Sequence, residues 1–307
     1  MIVAGAAGFL GSHLCEAHLL QGEEVLGIDN FATGMRETIT YLQSKYPRFS
    51  FLEKDVSEPW GDLPNHSRVY HFASPASPPH YQRLAVETLW ANALGLKSAI
   101  HYADKHQARV IFASTSEIYG DPTVSPQPES YWGNVNSYGM RACYDEAKRF
   151  CEALLFASNK ANNTQHGLVR IFNTYGPRMN PNDGRVIIQF LMQGIENKPL
   201  TIYGDGSQTR SFCYVDDLVQ GILLYAASDE TEPMNLGNDQ EFRIDTLATI
   251  VQQELFPEKK LTIHYSPWPA DDPRRRCPDL TRAKRILGWQ PTISLREGLE
   301  AMKRCLE

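Results

Sequence analysis

The sequence has few cysteines, and they are not spaced as metal ligands or redox pairs. The six are scattered over the chain, with no Cys-x-x-Cys pair and no histidine–cysteine cluster: Cys15, Cys143, Cys151, Cys213, Cys277 and Cys305. Because zinc sites and redox pairs need close spacing, the pattern predicts no metal site. It favours reduced thiols in a cytoplasmic compartment.

An excess of positive charge and a long apolar segment are also missing. The net charge is −6 and the pI is about 5.9, so the chain lacks the basic balance of a nucleic-acid-binding protein. No apolar run approaches the ~20 residues that a membrane-spanning helix needs. The chain begins with a strand pattern, without a basic segment or a cleavage site. We therefore expect no signal peptide and no membrane segment.

The chain does contain enough apolar residues for a large core, since 42% of its 307 residues are hydrophobic. Its first half alternates short apolar runs with helical stretches. Strands are predicted at 1–4, 24–29, 49–56, 68–73, 109–114 and 168–172, and long helices at 84–106 and 137–157. Such alternation is typical of right-handed βαβ units. The predicted fold is α/β, with a Rossmann-type doubly wound parallel sheet.

The composition changes after the segment 173–178, where glycine, proline and arginine become frequent and the helices shorten. This change predicts a smaller C-terminal α/β lobe. We expect a nucleotide-binding domain made of residues 1–173 plus about 210–236. The second lobe would contain 174–209 plus about 237–307.

A glycine-rich turn joins the first strand to the first helix. Gly5, Gly8 and Gly11 follow the strand and lead into the helical stretch 12–20. Glycines permit a tight turn and let the backbone approach a pyrophosphate, while the free N–H groups of the helix start meet its negative charge. In this context the motif predicts a dinucleotide site.

Acidic residues end the next two predicted strands. Asp29 lies about twenty residues past the glycines, where a carboxylate can bind both ribose hydroxyls and repel a 2′-phosphate; NAD is therefore favoured over NADP. Arg36, which could accept a phosphate, is expected to cover the adenine instead. Asp55 ends the third strand and could hold the adenine amino group, or could simply be a turn residue.

Two segments add polar groups at the same edge of the predicted sheet. The loop 74–79 is rich in proline and serine, and its restricted φ angles are expected to keep it out of a helix. The fifth strand ends in Ser114-Thr115-Ser116-Glu117. Ligands bind at the carboxyl ends of parallel strands, so these side chains are candidates for a binding site.

Tyr144 and Lys148 are four residues apart in a helical stretch, so both side chains project from one face. A lysine ammonium beside a phenol favours the phenolate, and a nearby nicotinamide cation would favour it further. Tyr144 is therefore a candidate acid and base near neutral pH, well below its free pKa of roughly 10.

Together these residues resemble an extended short-chain dehydrogenase/reductase that acts on nucleotide sugars. Several longer segments are similar to UDP-glucuronate decarboxylases, which form UDP-xylose. They are 71–81, 114–121, 131–136, 141–146, 170–179, 183–186, 203–212 and 271–273. The resemblance covers essentially the whole chain. It implies a redox-neutral, NAD-dependent decarboxylation of UDP-glucuronate through a 4-keto sugar.

The resemblance also implies roles for individual residues. The implied catalytic residues are Thr115, Glu117, Tyr144, Lys148 and Arg210, with Glu117 and Arg210 as a pair near the sugar carboxylate and C5. The implied cofactor contacts are Gly5, Gly8, Phe9, Leu10, Gly11, Asp29, Asn30, Phe31, Thr33, Gly34, Asp55, Val56, Phe72, Ala73, Ser74, Tyr144 and Lys148. The implied substrate contacts are Ser74, Tyr81, Thr115, Glu117, Asn173, Arg178, Arg185, Tyr203, Gln208, Arg210 and Arg276.

The sequence departs from this family at Trp90, which stands where a lysine is usual. The lysine ammonium group that could bind the carboxylate of the sugar is therefore missing. The two long helices are expected to form a four-helix contact in a homodimer, by resemblance to the family.

Three other functions stay open at this point. A sugar 4,6-dehydratase would carry an aspartic acid where this chain has Ser116, and serine is a poor acid. A nucleotide-sugar 4-epimerase would need room for the keto sugar to turn over. A non-catalytic NAD-sensing regulator would be expected to lose Tyr144 or Lys148, and both are present.

Overall fold

The computed structural model describes residues 1–307, and its central feature is a parallel sheet of seven strands. The strands of the chain are β1 (Ile2–Ala4), β2 (Val25–Asp29), β3 (Phe49–Glu53), β4 (Arg68–His71), β5 (Arg109–Thr115), β6 (Gly167–Ile171), β7 (Thr174–Tyr175), β8 (Leu200–Tyr203), β9 (Thr209–Ser211), β10 (Cys213–Tyr214), β11 (Met234–Leu236), β12 (Glu241–Arg243), β13 (Ile263–Ser266) and β14 (Arg275–Arg276). The large sheet has the order β11-β6-β5-β4-β1-β2-β3, and all its pairs are parallel. The predicted doubly wound α/β fold is confirmed.

Ten α-helices cover the sheet and build the second lobe. They are α1 (Phe9–Leu20), α2 (Arg36–Lys45), α3 (Pro78–Arg83), α4 (Ala85–His106), α5 (Ala142–Asn162), α6 (Val186–Ile195), α7 (Val215–Ala227), α8 (Ile244–Ile250), α9 (Thr281–Leu287) and α10 (Leu295–Leu306). None of them combines the length and apolar character needed to cross a membrane.

The strand order positions the binding crevice. The order reverses between β1 and β4, which are neighbours in the sheet although two strands separate them in sequence. In doubly wound sheets the loops that leave the two strands at such a point diverge and open a crevice at the carboxyl edge. The glycine turn follows β1 and the Pro/Ser loop follows β4, so both face this crevice.

Residues after β6 build three small sheets and then return to the large one. β7 pairs with β10, β8 pairs with β13, and β9 lies between β12 and β14. β11 joins the edge of the large sheet beside β6, with Met234 opposite Val169. β11 lies within the segment 210–236 that was expected to belong to the nucleotide-binding domain.

Three boundaries differ from those predicted, each for a local reason. β3 ends at Glu53 because Asp55 forms a turn, in which its carboxylate accepts a hydrogen bond from the Ser57 N–H at 2.8 Å. α5 begins at Ala142, not near 137, because the Asn136 side chain accepts a bond from the Tyr138 N–H at 3.1 Å and so competes with a helix. The expectation that prolines would exclude a helix from 74–79 is wrong at its end. α3 begins at Pro78, since the first turn of a helix needs no N–H donor from proline.

Candidate active site

A cavity of about 660 Å³ lies at the carboxyl edge of the large sheet and is closed on its other side by the second lobe. It brings together most of the residues that the sequence singled out. The predicted site residues in its lining are Gly5, Gly8, Phe9, Leu10, Gly11, Thr33, Phe72, Ser74, Thr115, Glu117, Tyr144, Lys148, Asn173, Arg178, Arg185, Tyr203, Gln208, Arg210 and Arg276.

The glycine turn has the geometry of a pyrophosphate cradle. Gly5 has φ +90°, and a Cβ placed there would lie 2.8 Å from the Ala73 nitrogen. A Cβ at Gly11 would lie 2.0 Å from the Gly5 carbonyl oxygen, so only glycine fits. α1 then starts after Gly8 with no side-chain cap, which leaves its first N–H groups facing the cavity. These residues fit the diphosphate of a dinucleotide.

The predicted adenosine contacts lie outside the lining of this cavity, at the carboxyl ends of β2 and β3. The buried Asp29 carboxylate accepts bonds from the Ala7 N–H at 3.0 Å and the Phe31 N–H at 2.8 Å. Asp55 accepts a bond from the Asn30 amide at 2.9 Å. The implied cofactor contacts Gly34, Val56 and Ala73 are also outside the cavity lining, and the Val56 side chain belongs to the apolar core.

Arg36 does not extend toward a 2′-phosphate. Its guanidinium lies 4.0 Å from the Phe31 ring centroid and pairs with Glu53 at 2.7 Å. The side chain is therefore engaged on both sides at the rim of the adenosine region.

Thr115, Tyr144 and Lys148 meet at one wall of the cavity. Thr115 ends β5, while Tyr144 and Lys148 lie in the first two turns of α5. Lys148 donates a hydrogen bond to the Ala113 carbonyl at 2.7 Å, and its ammonium lies 5.5 Å from the Tyr144 ring centroid. The predicted common face of the helix is confirmed.

The ionisation of this trio differs from the expectation that Lys148 would favour the phenolate. Burial raises the pKa of Tyr144 well above its ordinary value, and the neighbouring Thr115 hydroxyl offsets only part of this effect. Burial lowers the pKa of Lys148 to about 8. Desolvation therefore outweighs charge attraction, because Lys148 is directed toward a backbone carbonyl and not toward the Tyr144 hydroxyl.

Tyr81, an implied substrate contact, and Trp90, which stands where a lysine is usual, both lie outside the cavity lining. Tyr81 is buried behind Tyr144, with parallel rings 5.1 Å apart, and is not part of the cavity lining. Trp90 is 51% exposed on α4 and is also outside the lining. The replacement of a lysine by Trp90 therefore leaves the cavity wall unchanged. Ser74 does line the cavity, and its hydroxyl accepts a bond from Asn92 at 2.9 Å.

The far wall of the cavity is a network of arginines and carboxylates. Arg276 holds Glu117 in a bidentate pair, with both distances 2.7 Å, and Arg141 binds the same carboxylate at 2.6 Å. Burial alone would raise the pKa of Glu117, but the two guanidinium groups outweigh it and lower this pKa to about 2. Glu117 is therefore an ionised acceptor and not a proton donor at neutral pH.

Arg210 lines the cavity together with Glu117 but does not contact its carboxylate directly. Its guanidinium binds Asp272 at 2.8 Å, and Asp272 also lies 3.3 Å from Arg141. Arg276 is the arginine that binds Glu117, and it lies on β14, which pairs in parallel with β9, the strand that carries Arg210. The two arginines are opposite each other, and their side chains reach different acids.

The other predicted sugar-nucleotide contacts also line the cavity. Arg185 pairs with Asp183 at 2.5 Å. The Gln208 amide donates to the Tyr203 carbonyl at 2.8 Å, and its own buried carbonyl oxygen has no partner. Arg178 instead binds Glu16 at 2.8 Å and His13 at 2.8 Å on α1, so it joins the second lobe to the cofactor helix. Asn173 lines the cavity between these groups.

Arg141 and Asp272 are functional candidates that the sequence did not single out. Both line the cavity and bridge the arginine–carboxylate network, although 131 residues separate them. The only available signal was their position inside segments that resemble the decarboxylase family, since a lone arginine and an Asp-Asp-Pro turn predict no contact by themselves.

Comparison with known proteins agrees with this geometry. Residues 1–237 match the model of the NAD dependent epimerase/dehydratase family. The chain is 47% identical over 302 residues to UDP-glucuronic acid decarboxylase 1 of Arabidopsis thaliana, covering 98% of this chain and 68% of the relative. It is 42% identical over 299 residues to UDP-glucuronic acid decarboxylase 1 of Xenopus tropicalis, covering 97% and 70%.

Solved structures of nucleotide-sugar 4-epimerases are also similar to this chain, at lower sequence identity. UDP-glucose 4-epimerase from Thermotoga maritima, solved with UDP-glucose, has a TM-score of 0.90 and 27% identity, covering 99% of this chain and 97% of that one. UDP-glucuronic acid 4-epimerase from Bacillus cereus, solved with UDP-glucuronic acid and NAD, has a TM-score of 0.85 and 28% identity, covering 99% and 98%. The chain therefore belongs to the NAD dependent epimerase/dehydratase family, and within it to the group that includes the UDP-glucuronic acid decarboxylases.

Proposed function

We propose that this protein is an NAD-dependent carboxy-lyase that converts UDP-glucuronate to UDP-xylose and CO2 through a 4-keto sugar. One observation carries the proposal: a single cavity joins a dinucleotide cradle and the Thr115–Tyr144–Lys148 wall to a wall of three arginines. The names of the relatives at 42–47% identity support the same reaction.

Tyr144 is the proposed base for the hydroxyl at C4 of the sugar. Bound NAD supplies hydride acceptance from C4 and the later return of that hydride, so the reaction is redox-neutral. The Thr115 hydroxyl would hold the C4 oxygen beside Tyr144. Lys148 would hold the cofactor ribose, and the positive nicotinamide ring would have to lower the pKa of Tyr144 that burial raises.

The arginine wall fits the second stage of the reaction. A ketone at C4 makes the sugar a β-keto acid, which loses CO2 and leaves an enolate. Arg276 and Arg141, held by Glu117, are placed to orient the carboxylate and to stabilise the negative charge that then develops on the sugar. Arg210, fixed by Asp272, would act beside them. Protonation at C5 completes the exchange of the carboxylate for hydrogen.

The remaining candidate roles concern orientation. The glycine turn would bind the NAD diphosphate, and Asp29 the adenosine ribose. Arg185, Tyr203 and Gln208 would bind the UDP part of the substrate from the second lobe. We propose the division expected from the sequence, with a nucleotide-binding domain of 1–173 plus about 210–236 and a sugar-nucleotide lobe of 174–209 plus about 237–307.

A decisive test is to incubate NAD-loaded protein with UDP-glucuronate and follow CO2, UDP-xylose and the absorbance of reduced nicotinamide. We expect both products and no net change in reduced cofactor. UDP-galacturonate as the product would identify a 4-epimerase. Conversion of UDP-glucose or dTDP-glucose to a 4-keto-6-deoxy sugar would identify a dehydratase, which Ser116, a buried and poorly acidic residue of the cavity wall, disfavours.

We also propose a homodimer formed through α4 and α5. Large apolar side chains are exposed on α4, at Val86, Trp90 and Leu94, and on α5, at Phe150 and Phe156. These adjacent helices would form a four-helix contact with a second copy, because such a row of exposed apolar residues is costly in water. The six unpaired cysteines support a cytoplasmic location.

A further inference from the structure

The arginine wall has more positive than negative charge. Its side chains are three guanidinium groups and two carboxylates, all of them in the cavity lining: Arg141, Arg210, Arg276, Glu117 and Asp272. Every carboxylate in this set is bound to at least one arginine at 2.6–2.8 Å. The set therefore has a net charge of one positive unit, which is suited to an anionic ligand.

A sixth ionisable group, Asp145, lies one helical turn after Arg141, and its backbone N–H donates to the Arg141 carbonyl at 3.1 Å. It is on α5, next to Tyr144, and only 5% of its surface is exposed. Its Oδ1 oxygen has no hydrogen-bond partner, and the same is true of the buried Tyr81 hydroxyl. Several ionisable groups interact electrostatically with Asp145. They are Glu117 in the turn after β5, Tyr81 on α3, Arg141 just before α5, Cys143, Tyr144 and Glu146 on α5, and Arg276 on β14.

The surroundings of Asp145 oppose its ionisation. Burial and the negative charge of Glu117 raise the pKa of Asp145 to about 8, and Arg141 and Arg276 offset only part of this effect because they are already bound to Glu117. An unpaired buried carboxyl group stays protonated to avoid the cost of desolvating its charge. If Asp145 ionised, the net charge around the wall would fall from one positive unit to zero.

We propose that Asp145 is a specificity-determining residue, which stays neutral so that one positive charge of the arginine wall is left for the carboxylate of the sugar. Asp145 acts through the wall and does not touch the ligand. The proposal rests on the proposed function, since it assigns the sugar acid to this wall. It implies that an acidic sugar nucleotide binds best when Asp145 is protonated, whereas a sugar without a carboxylate is indifferent to Asp145.

Calorimetric binding of UDP-glucuronate and UDP-xylose to the NAD-loaded protein tests the proposal. The Tyr144→Phe background is used so that UDP-glucuronate is not consumed. Between about pH 7 and about pH 9 we expect UDP-glucuronate binding to weaken roughly tenfold more than UDP-xylose binding, from the loss of one charge interaction at a distance of several ångströms. Titration of Lys148 in this range would weaken the binding of both ligands equally. The difference between the two affinities therefore reports on the sugar carboxylate alone.

Two variants complete the experiment. The Asp145→Asn variant should keep, at every pH, the ratio of UDP-glucuronate affinity to UDP-xylose affinity that the parent protein has at neutral pH, because asparagine cannot ionise. Glu146→Gln removes a more exposed carboxylate from the next position and should keep the difference between the two ligands. Its midpoint should lie at a slightly lower pH, because Glu146 contributes a small part of the raised pKa of Asp145. An equal pH response of the two ligands in the parent protein would overturn the proposal even if Asp145→Asn failed to fold. So would an Asp145→Asn variant that retained the difference.

The proposed function has a separate readout. If wild-type protein binds UDP-glucuronate with the expected pH dependence but releases no CO2, the reaction is wrong and the role of Asp145 in binding an acidic sugar stands. If CO2 is released and the two ligands respond alike to pH, the reaction stands and the role of Asp145 is overturned.

Discussion

Glu117 and Arg276 lie 159 residues apart in the sequence and form a bidentate ion pair, with Oε1 2.7 Å from Nη1 and Oε2 2.7 Å from Nη2. The pair joins the end of β5 to β14 of the second lobe. Because Arg141, the residue just before α5, binds the same carboxylate, one glutamate fixes the relative positions of three chain segments around the cavity.

Replacement of Glu117 by glutamine should therefore destabilise the protein by about 3 kcal/mol at neutral pH, because two buried arginines lose their common anion. The pKa of Glu117 is lowered from 4.5 to about 2 in the folded chain, so the stabilising effect is present above about pH 4.5 and is lost as the pH falls through 2. Urea unfolding of both proteins at several pH values measures this difference. Glu53→Gln, which breaks the exposed pair with Arg36, is the matched control and should cost much less, because solvent screens both of its charges. Equal losses in the two variants would contradict the assigned role of Glu117.

Replacement of Tyr144 by phenylalanine should lower turnover of UDP-glucuronate by roughly 10²–10⁴-fold, because it removes the proposed base. The ring remains, so the bound NAD content of the purified protein should be nearly unchanged. Tyr81→Phe is the control: it removes a hydroxyl without a hydrogen-bond partner from the ring stacked on Tyr144. A Tyr144→Phe variant that kept most of its turnover would exclude Tyr144 as the base.

The parts of this site that the sequence predicted are those determined by local spacing. The interval between Tyr144 and Lys148 places both on one helix face, and the three glycines fit only a tight turn between a strand and a helix. The order of strand and helix patterns predicted which loops meet at the carboxyl edge, because parallel strands must all end there. These inferences need only the geometry of neighbouring residues.

The arginine network could not be predicted in this way. Whether Glu117 binds Arg210 or Arg276 depends on the register in which β14 pairs with β9. β14 has only two residues and β9 only three, so neither strand contains a sequence pattern that specifies this register. Trp90 shows the same limit: its helix was predicted, but only the packing of α4 reveals that this side chain faces outward. Local patterns predict elements, whereas contacts between distant segments depend on the packing of the whole chain.

Replacement of Gly11 by alanine should abolish NAD binding, because a Cβ there would lie 2.0 Å from the Gly5 carbonyl oxygen and force the cradle open. The NAD content of the purified variant, measured after acid release, gives the result. Gly22→Ala is the control: Gly22 has φ +78° but no atom within 4 Å of the added Cβ, so only a strain of about 1 kcal/mol is expected. Normal NAD content in Gly11→Ala would show that the turn does not hold the diphosphate.

Replacement of Trp90 by glutamate should convert the proposed dimer to a monomer, because the new charge would be buried in the contact between α4 helices. Light scattering during gel filtration gives the mass of each species. Tyr265→Glu is the matched control, since Tyr265 is 57% exposed on β13 in the second lobe, away from α4 and α5. A monomeric parent protein, or a dimer that survives in Trp90→Glu, would exclude this interface.

Replacement of Asp145 by asparagine should change the pH dependence of stability in a defined direction. The pKa of Asp145 rises from 3.8 to about 8 in the folded chain, so between these values the folded state holds a proton that the unfolded state has released. Stability therefore falls with rising pH in this window, with a slope of at most about 1.4 kcal/mol per pH unit from this group. Asparagine has no proton to release, so the variant should gain stability relative to the parent protein as the pH rises from about 4 to about 8. Urea unfolding across this range measures the gain, and Glu146→Gln should not reproduce it. Parallel curves for Asp145→Asn and the parent protein would show that Asp145 is ionised in the folded state, and the charge of the arginine wall would then be balanced at neutral pH.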